Sequence, residues 1–179
     1  STGPLTADPV LIGITDDSRQ VRPGWLFVAV RGIRSDGHDY IPKAIEAGAA
    51  AVVCEHLANG AVRVPHMVVR DTRKALGLLL SRFYNLPDAC HTGRFKLLGV
   101  TGTNGKTTTA YLMQHLLNAA DLRCGRITTI DRDLGGGQAL SSNNTTPPTT
   151  ALYADLAAAI DHGCAAVAME VSSHGLDQH

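Results

Sequence analysis

Apolar and polar positions along the chain alternate between short β-forming runs and stretches with helical spacing. Val10-Leu-Ile-Gly-Ile14 and Trp25-Leu-Phe-Val-Ala-Val30 read as strands, separated by the turn signal Arg22-Pro-Gly24. Tyr40 to Ala47 reads as a short helix stopped by Gly48. Ala50-Ala-Val-Val53 and His66-Met-Val-Val69 read as buried strands. Asp71 is placed to cap a helix running to Tyr84, in which Leu76, Leu79, Leu80 and Phe83 recur at i, i+3, i+4 and i+7 as one apolar stripe. Residues 85–94 lack periodicity and carry Pro and Gly, which predicts a linker between a first domain, 1–84, and a second, 95–179.

The second domain continues the alternation. Lys96-Leu-Leu-Gly-Val100 predicts a buried strand, Thr107 to Asn118 a helix, and Arg123 to Thr128 a strand. Asp133 to Ser142 is polar and Gly-rich and predicts a loop. Thr149 to Ile160, with Leu152, Leu156 and Ile160 four apart and Gly163 as a stop, predicts a helix. Ala165 to Val171 is an apolar run of the kind buried in parallel sheets. The fold class expected is therefore α/β: a small α/β domain followed by part of a mostly parallel, P-loop-type domain. A sheet so placed would have an uncovered edge that invites association.

Composition narrows the function classes. Among 179 residues, 44% are hydrophobic and only 4% aromatic, so the core is built from Ala, Val, Leu and Ile. Sixteen basic and 16 acidic residues cancel, which is not the basic footprint of a nucleic-acid binder. Cys54, Cys90, Cys124 and Cys164 form no CxxC pair and read as small buried hydrophobes. No apolar run approaches the roughly 20 residues of a membrane span, and no signal peptide is visible, so a reducing cytoplasm is expected. The start at Ser1 reads as a processed or engineered end, and the stop at His179, directly after a motif, as a truncation.

Chemistry concentrates in Gly99-Val-Thr-Gly-Thr-Asn-Gly-Lys-Thr-Thr-Thr109. A strand, a glycine turn, a lysine and hydroxyls at a helix start make a phosphate cradle. Backbone N–H groups and the helix dipole favour an anion there. Gly102, Thr103, Asn104 and Gly105 form the turn, Lys106 offers a point charge to the outer phosphates, and Thr107, followed by Thr108, can ligate magnesium. Gly102 and Gly105 are separated by two residues rather than four, with Val100 where the first glycine of the general pattern falls. A plain glycine turn before a helix is the alternative.

Glu170 closes the apolar strand that follows, where an unpaired charge is costly; magnesium is one reason for it and a salt-bridged or solvated strand end another. His174 lies near the same edge and can meet phosphate, a metal, substrate or solvent. Thr145 and Thr146 precede Pro148 at a helix start and can cap that helix or bind an anion. In the first domain, the Asp17-Ser18-Arg19 segment and the polar loop Gly32–Gly37 read as plain turns or small-ligand loops.

Three blocks together resemble the Mur ligases of peptidoglycan synthesis, and within them the MurE type: Asp17 to Val30 with Asp36 to Ile45, Thr101 to Thr108, and Met169 to Leu176. The resemblance implies an ATP- and magnesium-dependent amide ligase acting on UDP-N-acetylmuramoyl-L-alanyl-D-glutamate. The D-glutamate carboxylate would be phosphorylated to an acyl phosphate and attacked by the amine of meso-diaminopimelate or L-lysine. It implies phosphate contacts from Gly102 to Thr108, with Lys106 and His174 catalytic and Thr107, Glu170 and His174 at metal. Ser18, Ile33, Arg34 and Ser35 align with the uridine site, and Asn144, Thr145, Thr146, Ser172 and Gln178 with contacts to the muramoyl peptide. No nucleic-acid or membrane partner is implied, and the full-length protein would be a monomer. The family's usual Gly-Thr-x-Gly-Thr-like turn is replaced by Ile127-Thr-Thr-Ile-Asp131. An arginine after Gln178, the carbamylated lysine and the C-terminal domain have no counterpart here, so this chain alone is expected to have negligible ligase activity. A non-catalytic nucleotide-sugar-binding module and a generic P-loop NTPase or kinase are the competing readings.

Overall fold

The computed structural model describes residues 9–32, 35–57, 62–142 and 145–172. It divides into two compact units, Ser1–Leu80 and Ser81–His179. Both are α/β, as the alternating pattern predicts.

The first unit is a four-stranded, all-parallel sheet in the order β1 (Gly13–Thr15), β2 (Trp25–Val28), β3 (Ala51–Cys54), β4 (His66–Val68). A 3-10 helix over Gly37–Tyr40 runs into α1 (Ile41–Glu46), and α2 covers Thr72–Phe83. Phe27, Val52, Cys54, Ile41 and Ala44 form its core. Gly48 ends α1 as the sequence predicts: at φ +96° it lets Gly48 N–H reach Ile45 O and Ala49 N–H reach Ala44 O, satisfying two carbonyls at the helix end. Asp71 caps α2, its Oδ1 accepting from Lys74 N–H at 3.0 Å. Along α2, Leu76 and Leu80 are buried, while Leu79 and Phe83 are half-buried.

The second unit holds a five-stranded sheet in the order β5-β9-β6-β7-β8. The strands are β5 (Lys96–Val100), β6 (Cys124–Ile127), β7 (Asp131–Asp133), β8 (Ala139–Ser141) and β9 (Ala166–Glu170). β5, β9 and β6 are parallel; β6, β7 and β8 run antiparallel. Helices α4 (Lys106–Ala119) and α5 (Thr149–Asp161) connect them. Ile127, Val167, Met169, Leu156 and Ala159 form one core cluster, and Ala110, Cys124, Ala166 and Ala168 a second.

Four expectations are corrected. Residues 85–94 are not a bare linker: Leu86–His91 forms α3, and Leu86 and Phe95 are buried in the second unit's core, which is what orders a segment without helical periodicity. Asp133 to Ser142 is not a loop throughout, because Ala139–Ser141 forms β8 and pairs with β7, Asp133 opposite Ala139. β5 is not a buried strand: among the described residues it is an edge strand paired with β9 alone, and Leu97 is 46% exposed. Cys54, Cys124 and Cys164 are buried as expected, but Cys90 is exposed. Among the described residues no helix is long and apolar enough to cross a membrane.

Candidate functional site

The glycine loop springs from the carboxyl end of β5 and delivers α4. Gly105 is the residue before the helix and sits at φ +81°, in the left-handed region where a side chain is strained. No side chain caps α4, and its first turn holds no acidic residue, so its leading N–H groups face an exposed loop. Lys106 curls back over that loop, its ammonium donating to Gly102 O at 2.8 Å. Thr103, Asn104 and Thr108 are exposed and Thr107 is half-buried in the first helical turn.

Sheet order, not chain proximity, brings Glu170 to this loop. β9 lies directly beside β5, Val100 pairs with Glu170, and Val171 N–H donates to Val100 O at 2.8 Å. Glu170 is 1% exposed. Its Oε1 accepts from Thr129 N–H and its Oε2 from the Thr129 hydroxyl, each at 3.1 Å. These donors are neutral, and no ion pair to Glu170 occurs among the described residues. Among the described residues, then, this fully buried carboxylate is held by neutral donors and meets no counter-charge.

Three of the expected substrate contacts gather at the same strand end. The Thr145 and Thr129 hydroxyls lie 3.1 Å apart. Thr146 Oγ1 accepts from Ser172 N–H at 3.2 Å and lies 3.4 Å from the Glu170 carbonyl. Neither threonine caps α5: the residue before that helix is Pro148, with no side-chain cap, because Thr146 is engaged by Ser172 instead. Asn144, His174 and Gln178 lie outside the described residues, as do Ile33 and Arg34.

In the first unit, Ser18 is buried at the carboxyl end of β1 between the partners of an ion pair. Asp17 accepts the Arg19 guanidinium, which holds its carboxyl down at about 2. Ser35 is exposed, and its carbonyl accepts from Gly32 N–H at 2.9 Å.

Two polar clusters escaped the sequence reading. Asp36, His38 and His56 bring ligand atoms within 4.8 Å of one another. His38 nevertheless has no lone pair to give a metal. Its Nε2 accepts from Glu55 N–H at 2.8 Å, so the ring proton sits on Nδ1 and is donated to Asp36 Oδ1 at 2.6 Å. The second cluster surrounds Arg126, which is buried under the Tyr111 ring at 3.7 Å and forks onto Asp131. Arg126 inside an otherwise apolar strand was the signal available. Thr129 stands in the segment already marked as a departure from the family turn.

Residues 11–84 match the Mur ligase family, catalytic domain, and residues 100–179 the Mur ligase middle domain. A UDP-N-acetylmuramoyl-L-alanyl-D-glutamate--2,6-diaminopimelate ligase of Chlorobium phaeobacteroides is 45% identical over 177 residues, covering 97% of this chain and 33% of the relative. The protein of the same name from Chlorobaculum tepidum is 48% identical over 172 residues, covering 95% and 33%. Among solved structures, a ligase of that name superposes with a TM-score of 0.73 at 26% identity, over 94% of this chain and 33% of the other. The MurF ligase of Thermotoga maritima in complex with ADP gives 0.56 at 25% identity, over 94% and 34%. The chain thus spans about a third of the length of the curated relatives it matches.

Proposed function

This chain belongs to the Mur ligase family, and we propose that it supplies the nucleotide-sugar-binding and phosphate-binding parts of an ATP-dependent ligase. That ligase would join a diamino acid, 2,6-diaminopimelate in the named relatives, to UDP-N-acetylmuramoyl-L-alanyl-D-glutamate. The observation that carries the reading is Glu170: a carboxylate 1% exposed, beside a glycine loop, with neutral donors alone among the described residues. A divalent cation fits that donor set, because it provides the missing charge and takes hard oxygen ligands. Glu170 and Thr107 would hold it, with His174 as a further ligand in this reading. Magnesium bound there supplies charge neutralisation to the outer phosphates.

The chain's own groups have defined tasks. The Gly102–Gly105 loop and the leading N–H groups of α4 bind the phosphates of ATP, and Lys106 leaves the Gly102 carbonyl to meet them. Thr145, Thr146 and Ser172, with Asn144 and Gln178, hold the muramoyl peptide so that its terminal carboxylate faces the transferring phosphoryl group. Ser18, Ile33, Arg34 and Ser35 receive the uridine end. The proposed place of action is the cytoplasm, in keeping with four unpaired cysteines.

Calorimetric titration of the chain with UDP-N-acetylmuramoyl-L-alanyl-D-glutamate, and separately with magnesium and ATP, tests the reading. Saturable binding of both, the first weakened by Ser18→Ala and the second by Lys106→Ala, is expected. Nucleotide binding with no response to the muramoyl dipeptide would move the chain to the generic P-loop class.

A further inference from the structure

We propose that Thr129 is a positioning residue: it fixes the plane of the Glu170 carboxylate and so sets how that carboxylate meets a divalent cation. The inference rests on the reading of Glu170 given above.

Thr129 grips both oxygens of one carboxylate, its N–H on Oε1 and its hydroxyl on Oε2, each at 3.1 Å. Two donors from one residue onto two different oxygens define the orientation of the group, which one donor cannot do. An ionised carboxylate oxygen has two lone pairs, so each oxygen keeps one for a cation. The carboxylate accepts only, so the Thr129 proton is spent on Glu170, and the Thr145 hydroxyl lies 3.1 Å from the Thr129 oxygen.

The grip works only if Thr129 is itself held. It sits at the tip of the turn joining β6 to β7. Thr128 N–H donates to Asp131 O at 2.8 Å, and Thr128 Oγ1 accepts from Ile130 and Asp131 N–H at 3.2 and 3.1 Å. Asp131 is fastened by Arg126, Nε to Oδ1 at 3.1 Å and Nη2 to Oδ2 at 2.7 Å, and by the Tyr111 hydroxyl at 3.0 Å. Thr128 is fully buried and Thr129 exposed, so the base of the turn is locked in the unit while its tip faces the strand end.

The test uses manganese(II) as probe, titrated by electron paramagnetic resonance against the protein with a non-hydrolysable ATP analogue. Thr129→Val keeps shape and backbone donor but loses the hydroxyl, and Thr129→Ser restores it. Valine is expected to weaken manganese binding about tenfold or more, and serine to stay within about twofold of the parent. Melting temperature and metal-free analogue affinity are expected to be unchanged in both. Parent-like manganese affinity in Thr129→Val, alongside loss in Glu170→Gln, would overturn the role of Thr129 alone. Parent-like affinity in Glu170→Gln would overturn the metal reading and this inference with it.

Discussion

Glu55 holds the first residue of α2: Thr72 donates both its backbone N–H and its hydroxyl to Glu55 Oε1, each at 3.0 Å. Thr72 is fully buried, so no solvent replaces this acceptor. Glu55→Ala is expected to cost about 1–2 kcal/mol, the cost of leaving buried donors unmet. The Thr72 backbone hydrogen bond lowers the Glu55 pKa. The resulting stabilisation is complete above the unfolded carboxyl value, about 4.3, and is lost as pH falls through the lower folded value. Urea midpoints of parent and variant should therefore differ at pH 7 and converge in acid. An equal difference at both pH values would count against this role.

Removing one partner of the Arg126–Asp131 pair strands the other. Arg126 is 7% exposed, and Asp131→Ala leaves its guanidinium without the carboxylate it forks onto, at an expected cost of about 3 kcal/mol in urea denaturation. The double variant Arg126→Met, Asp131→Leu should recover most of that loss, since a well-packed apolar pair avoids the desolvation penalty. The Arg126 hydrogen bond lowers the Asp131 pKa. This contribution too is present above the unfolded value and fades as pH falls through the folded one.

The tautomer of His38 is a direct spectroscopic prediction. With Nε2 accepting from Glu55 and Nδ1 facing Asp36, a long-range proton–nitrogen spectrum should show the neutral ring as its Nδ1–H tautomer. Added zinc should leave the His38 signals in place, even though the cluster with Asp36 and His56 has the outward form of a metal site. A zinc-induced shift of both His38 nitrogens would sink the assignment.

Gly105 is held by conformation rather than by crowding. A Cβ there meets nothing within 4 Å, yet φ is +81°. Gly105→Ala is expected to cost about 1–2 kcal/mol, Gly105→Asn less, and Gly105→Val most, because asparagine tolerates the left-handed region and β-branched residues do not. Thermal melts give the order, and weakened binding of ATP should follow it. Equal melting temperatures for all three would show that the loop relaxes without cost.

Most of the fold was legible because its signals are local. The stripe of Leu76, Leu79, Leu80 and Phe83, the stop at Gly48 and the glycine turn before Lys106 each work within a few residues. So the alternation of strands and helices, the glycine turn that opens α4 and the acidic end of β9 could be read from the chain by itself. What the chain pattern did not carry was pairing. Nothing local to Val100 says that its neighbour in the sheet is Glu170, and nothing local to Asn85 says that Leu86 will be drawn into a core with Phe95. Glu55 and Thr72 are 17 positions apart, and Thr129 and Glu170 are 41 apart. Such contacts are decided by strand order and by the need to satisfy buried polar groups, both of which arise only when distant segments pack. Residue types and local spacing determined the chemistry available to this protein; the tertiary structure decided which of those groups meet.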